Sequence, residues 1–456
     1  MGLYSFYRIS KPSRERVGEE QVDSTYRSLR SRTFWGVTVA YSLYYVCRMS
    51  LSVVKQPLID EGVLSAGQLG LIGSALLFVY AVGKFMNGFI ADYCNIRRFM
   101  ATGLLVSAVI NLLMGVLGLS GRFCSIPASV IFFAFALLWG VNGWMQSMGS
   151  PPGVISLSRW FPLSRRGTYY SVFSSSPYIG EFLSFIITGV VVGALGWEAG
   201  FIVAAVAGLI GSLIILLFVS DNPESKGLPS IQQLTGEIPA REDQLPTKEL
   251  QKIVLKHPGI WIIALSSAFI YITKYAIAGW GVLFLQKESG FSLEEATQII
   301  AFSAAFGVLG TVISGWLSDK VFGGDRVKPA VLSGILSSLS LFFFLFVGGG
   351  FVVNIFYVSL FSLSVGVLYC IVAGLMAVDI VPRKATGAAL GVVGLSSYVA
   401  AALQDITSGY LIQCNTETVN GVDVYDFGPV SVFWIAASVV SFILPVLNWK
   451  KMKQKI

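Results

Sequence analysis

Charge is scarce in this chain. Only 12% of its 456 residues are Asp, Glu, Lys or Arg, while 54% are hydrophobic. Mean hydropathy is +0.72. A soluble globular domain carries about 25% charged residues, so a water-soluble fold is excluded and a polytopic membrane protein remains. Histidine is almost missing too. The single His257 leaves no His-rich metal site, no HExxH pair and no catalytic set for an intramembrane enzyme. The five cysteines, Cys47, Cys94, Cys124, Cys370 and Cys414, show no CxxC spacing and read as unpaired helix residues. There is no GxxxxGK[ST] loop and no soluble stretch long enough for a nucleotide domain, which removes an ATP-driven pump. The polar N-terminus lacks the short apolar core and cleavage site of a signal peptide.

Long apolar runs are abundant. The first is Thr33 to Val54, and others follow at 66–91, 99–119, 126–148, 168–193, 199–219, 259–286, 297–317, 329–348, 351–379, 386–412 and 429–449. Twelve spans are expected. Alternate connecting segments differ sharply in basic charge. With both termini in the cytoplasm, inside segments hold 26 of the 32 Lys and Arg, outside segments hold only Lys55, Arg122 and Lys287, and spans hold Arg48, Lys84 and Lys274. This asymmetry is the positive-inside rule. It explains the net charge of +7 without nucleic acid as a partner.

The chain divides into a cytoplasmic arm (1–32), six spans (33–219), a Pro-containing cytoplasmic linker (220–257), six more spans (258–449) and a basic tail (450–456). The halves repeat. Sliding by 226 positions sets Trp35 on Trp261, Tyr45 on Tyr271 and Arg48 on Lys274. A sequence GFIAD ending at Asp92, followed by Arg97 and Arg98, returns as GWLSD ending at Asp319, followed by Lys320 and Arg326. The expected fold is therefore all-α, with twelve transmembrane helices in two pseudo-symmetric six-helix bundles and a binding site between them.

Several ordered blocks carry a more specific likeness. YSLYYVCR, GKFMNGFIADYCNIRRFM, NGWMQSMGSPPG, DNPESKGLP and SGWLSDKVFGGDR resemble the organophosphate:phosphate antiporters of the major facilitator superfamily. The arm and the GVLSAGQLGLIGS block look closest to the hexose-6-phosphate branch, which includes transporters and a sensor. The resemblance implies exchange of a phosphorylated small molecule, such as glucose-6-phosphate, for inorganic phosphate. It implies that Arg48 and Lys274 hold the phosphoryl group, that no cofactor is needed, and that the carrier works as a monomer in the bacterial inner membrane. The span-5 histidine of the glycerol-3-phosphate carriers falls at Pro177.

The residues support that chemistry in their own right. An arginine near the centre of a span costs about 3 kcal/mol on insertion scales, so it normally faces a protein interior or a cavity. Two cations from opposite halves can clamp a phosphate monoester, and when empty they repel by about 2 kcal/mol at ~7 Å and an effective dielectric of ~20. Bound anion thus favours the closed intermediate, which suits exchange. Tyr41, Tyr45 and Tyr271 share helix faces with the two cations, and Tyr80 stands four before Lys84. These, with Trp144 and Tyr398, are candidates for contact with sugar hydroxyls and rings. Lys84 either lines the cavity or neutralises an acid. Glu181 and Asp405 read as hydroxyl-binding groups, as proton sites, or as ion pairs with Lys84 or Lys274. Asp92, Arg97, Arg98, Asp319, Lys320 and Arg326 read as gate latches. The competing function is a membrane sensor of external hexose phosphate that signals to a partner kinase.

Overall fold

The computed structural model describes residues 6–91, 94–124, 126–162, 169, 172–235, 255–323, 325–377, 380, 386–419 and 422–447. The long helices are α1 (Val22–Asp60), α2 (Ala66–Ala91), α3 (Ile96–Cys124), α4 (Ala128–Ser147, resuming over Ser150–Trp160), α5 (Ser176–Leu195) and α6 (Trp197–Phe218). Six more follow: α7 (Pro258–Lys287), α8 (Leu293–Trp316), α9 (Val327–Phe342), α10 (Phe351–Cys370), α11 (Thr386–Cys414) and α12 (Gly428–Leu447). Wider turns extend α9 over Phe343–Val347 and α10 over Ile371–Met376. Among the described residues, the other eleven each include an apolar stretch long enough to cross a bilayer. α11 has the length too, and it carries Ser396, Ser397, Gln404, Asp405 and Ser408 along its course. Those polar residues face protein, since Ser397, Gln404, Asp405 and Ser408 are all buried.

Local chemistry sets several boundaries. Ser292 and Glu295 form a reciprocal capping box at the start of α8. Pro258 occupies the first turn of α7, where its missing N–H costs nothing. Gly196, at φ 91°, makes the turn between α5 and α6 that a side chain would strain.

The helix contacts obey one rule: add six. α1 packs on α5 and α6 as α7 packs on α11 and α12, α2 packs on α4 as α8 packs on α10, and α3 packs on α6 as α9 packs on α12. Contacts between the halves follow the same rule, because α2 against α11 becomes α8 against α5. Two six-helix bundles related by a pseudo-twofold axis result.

The first helix departs from expectation. It runs well past both ends of the Thr33–Val54 stretch, so its first turns lie in the expected arm and Lys55 lies inside the helix, 2% exposed, and not in an outer loop. Lys55 finds an acid there, as described below. Of the expected fifth span at 168–193, α5 covers the part from Ser176 onward, while residues 168, 170 and 171 lie outside the described residues.

At the end where α1 finishes, called here the far end, the halves meet closely. Asp60 of α1 pairs with Lys287 of α7 at 2.6 Å, and the Gly67 N–H donates to Gln413 of α11 at 2.9 Å. Gly70 and Gly409 let α2 and α11 touch: a Cβ on Gly70 would stand 2.6 Å from the Asp405 carbonyl oxygen. A short antiparallel hairpin, β1 (Thr416–Val419) with β2 (Val422–Tyr425), covers this end, and the Lys287 ammonium lies 5.3 Å from the centre of the Tyr425 ring.

At the near end, the arm straps the first half. Tyr7 accepts from the Asn95 N–H at 2.7 Å through its carbonyl, and Ser10 N–H donates to Asp221 at 2.7 Å. Asp221 also accepts from the Ile96 N–H at 2.9 Å and pairs with Arg159 at 2.6 Å. The acid that caps the start of α3 is thus Asp221, from beyond α6.

Candidate functional site

α1 and α7 run side by side at the boundary between the halves, and each turns one cation into the interior. Arg48 is 5% exposed. Its Nη1 donates to the Tyr45 hydroxyl at 3.2 Å. The guanidinium carbon lies 3.9 Å from the centre of the Tyr80 ring, 5.2 Å from that of Tyr45 and 5.6 Å from that of Tyr398. Nε and Nη2 of Arg48 are buried without a hydrogen-bond partner. A guanidinium held on aromatic faces with two donors spare is prepared for an anion.

Lys274 is the counterpart. Its ammonium lies 4.3 Å from the ring centre of Tyr178 on α5 and 5.4 Å from that of Tyr369 on α10. Among the described residues it forms no ion pair. Tyr398 of α11 ties the site together: its ring centre is 4.6 Å from that of Tyr80, 5.1 Å from Tyr271 and 6.1 Å from Tyr275. Lys84 joins them with its ammonium 5.0 Å from the Tyr398 ring centre. Arg48, Lys84 and Lys274 all act electrostatically on the Tyr398 hydroxyl. The structure thus gathers Arg48, Lys84, Lys274, Tyr45, Tyr80, Tyr271 and Tyr398 into one cluster that spans both halves.

Other expected residues stand further back. Tyr41 stacks on Phe173 at 5.0 Å and meets Tyr45 edge-on at 5.6 Å, which holds Tyr45 against Arg48. Trp144 lies against Gly83 of α2. Asp405 is an ion-pair acid, but its partner is neither Lys84 nor Lys274. It binds Lys55 at 3.1 Å and accepts from the Trp280 indole N–H at 2.6 Å, and the Lys55 ammonium lies 3.5 Å from the Trp280 ring centre.

Two cavities flank the cations. One is lined by Arg48, Lys55, Trp139, Tyr275, Gln404 and Asp405, among others. The second, which is smaller, is lined by Lys274, Tyr178, Glu181, Ser303 and Ser362, among others.

Of the expected latches, Asp92 lies outside the described residues, as do the side chains of Asp319 and Lys320. Arg97 and Arg98 engage their own half, donating to the Leu216 and Phe6 carbonyls respectively. Arg326 donates to Ser318 at 2.6 Å.

Sequence reasoning passed over Lys55, Tyr178, Tyr275, Trp280 and Tyr369. A signal existed for two. Lys55 follows Arg48 by seven positions and Tyr275 follows Tyr271 by four, both same-face helix spacings.

Residues 37–404 match the Major Facilitator Superfamily. The chain belongs to that superfamily. This facilitator is 30% identical over 455 residues to the glycerol-3-phosphate transporter of Bacillus subtilis, covering 97% of each chain. It is 29% identical over 462 residues to a probable hexose phosphate transport protein of Chlamydia trachomatis, covering 96% of this chain and 94% of that one. It is also 29% identical over 393 residues to the membrane sensor protein UhpC of Escherichia coli, covering 84% and 86%. In fold, it matches a bacterial homolog of the human lysosomal transporter Spinster, solved in an inward-facing and occupied conformation. The TM-score is 0.70 at 16% identity, over 95% of this chain and 97% of that one. The facilitator is a multi-pass membrane protein of the transporter type and not an enzyme. The organophosphate branch read from its motifs is the branch in which these relatives stand.

Proposed function

We propose that the facilitator exchanges a hexose phosphate, glucose-6-phosphate in the first instance, for inorganic phosphate by rocking its two halves about the Arg48–Lys274 site. It does so as a monomer in a bacterial inner membrane, with both termini and the 220–257 linker in the cytoplasm. The observation that carries this reading is the pair of spare donors on buried Arg48 in the aromatic cage, with Lys274 presented from the other half. A phosphate monoester brings about −1.5 to −2 of charge and three acceptor oxygens, enough to occupy both cations at once. Arg48 takes two oxygens through its planar fork, and Lys274 supplies a point charge. With the anion gone, the cations repel and the halves resist passing through the occluded state. Return therefore requires a second anion, which is exchange and not uniport.

The test is uptake of labelled phosphate into proteoliposomes loaded with glucose-6-phosphate, glycerol-3-phosphate or nothing. Uptake that depends on internal glucose-6-phosphate is expected. Uptake into empty vesicles at the same rate contradicts exchange. The likeness to UhpC favours one second reading, a sensor of hexose phosphate that signals to a kinase. Saturable glucose-6-phosphate binding without any uptake, by the same preparation, selects it.

A further inference from the structure

Four of the helices that line the first cavity correspond through the pseudo-twofold axis to the four that line the second. The first is lined from α1, α2, α4, α7 and α11, the second from α5, α7, α8 and α10, and adding six to α1, α2 and α4 gives α7, α8 and α10, while α11 maps back to α5. Each holds one member of the cation pair and one buried acid. Asp405 follows Glu181 by 224 positions, close to the 226 between Arg48 and Lys274. Their chemistry has nevertheless diverged. In the first cavity the acid is consumed by Lys55 and Trp280, leaving Arg48 as surplus positive charge. In the second, Glu181 is 6% exposed and, among the described residues, makes no hydrogen bond or ion pair. Beside it the Tyr178 hydroxyl is buried and unpartnered, and Ser303 and Ser362 add two further hydroxyls to the wall.

Buried polar groups left unsatisfied call for a partner. A carboxylate accepts only, whereas a tyrosine or serine hydroxyl both donates and accepts. That set matches vicinal hydroxyl groups, which can donate to Glu181 while accepting from Tyr178. It opposes a ligand with its own carboxylate, because two buried like charges repel. We infer that the cavity between α5, α7, α8 and α10 is a polyol subsite, in which Glu181, Tyr178, Ser303 and Ser362 read the hydroxyl-bearing part of the substrate beside its Lys274-bound phosphoryl group. This rests on the proposed transport reading and adds the residues that set its specificity, favouring a phosphorylated polyol over a phosphorylated carboxylic acid. Inorganic phosphate engages the cations and leaves the subsite unfilled.

The experiment measures binding of inorganic phosphate, glucose-6-phosphate and 3-phosphoglycerate to the full-length protein, in wild type and in Glu181→Gln, Tyr178→Phe and Ser362→Ala. In Glu181→Gln the glucose-6-phosphate Kd should rise at least ten-fold more than the phosphate Kd, and 3-phosphoglycerate should gain affinity relative to phosphate. Tyr178→Phe and Ser362→Ala should lower the same preference for glucose-6-phosphate and keep the test alive if Glu181→Gln does not fold. Equal rises for all three ligands would make Glu181 a partner of Lys274 and overturn the subsite, as would no change in any variant. If the wild type binds neither phosphate nor glucose-6-phosphate, it is the transport reading that falls.

Discussion

Lys55 and Asp405 put opposite charges 3.1 Å apart, with side chains only 3% and 11% exposed, on helices from different halves. Desolvating both ions costs several kcal/mol each, so such a pair is weak as net stabilisation yet costly to halve. Asp405→Asn should lower unfolding stability in detergent by about 3–5 kcal/mol, because Lys55 is then a buried charge without a counter-ion. The double variant Lys55→Met/Asp405→Leu should recover most of that loss. Thermal unfolding of the three proteins decides it, and a double variant as unstable as the single one contradicts this account. Arg48 has a different signature. Arg48→Lys keeps the charge but loses the planar fork and the stacking on Tyr80, which the 3.9 Å separation makes close. The phosphate Kd should rise at least ten-fold while unfolding temperature changes little, because Arg48 forms no ion pair among the described residues. Calorimetric titration measures it.

Helices α1 and α5 meet where Gly180 faces Ser42. A Cβ at Gly180 would lie 2.0 Å from the Ser42 carbonyl oxygen and 2.6 Å from the Tyr45 Cβ, inside any allowed contact. Gly180→Ala should therefore push α5 away from α1 at a cost of about 1–3 kcal/mol, the usual range for overpacking. Because Tyr178 and Glu181 flank this contact on α5 and Tyr45 shares it on α1, the same substitution should also weaken glucose-6-phosphate binding. Unfolding and binding assays on one preparation check both effects. How far such elements can be read in advance depends on what enforces them. The two central cations were legible because a charge in a 22-residue apolar run is expensive, and doubly so when it recurs at the repeat offset. Lys55 was not, because it sits one residue beyond that run and its counter-charge lies 350 positions away in sequence. Tyr275 and Tyr369 were lost among 18 tyrosines, since nothing in a tyrosine tells a cage wall from ordinary packing. Asp221 reaches α3 from beyond α6, and no local pattern announces that. Helix number and the repeat were readable because each apolar run must cross one bilayer thickness.

Across the whole molecule, the halves are joined at the far end by an ion pair, a side chain to backbone hydrogen bond and a close glycine approach. Rocking about the central site requires those contacts to separate, because a site between two bundles reaches both sides only if each end opens in turn. The Asp60–Lys287 pair is the accessible member, with side chains 49% and 24% exposed, so its own strength is modest and its position is what matters. Replacing both residues with cysteine in a background without the native thiols, the exposed Cys414 included, gives a pair that a short reversible cross-linker can bridge. Cross-linking should abolish phosphate exchange in proteoliposomes, and reduction should restore it. Phosphate binding to the cross-linked protein in detergent should persist, because Arg48 and Lys274 lie deeper than the bridge and remain presented to each other. Exchange that continued at full cross-linking would mean the far end does not open during turnover. The central cations would then have to be reached by a route that leaves Asp60 and Lys287 together, which the rocking of two rigid bundles does not provide.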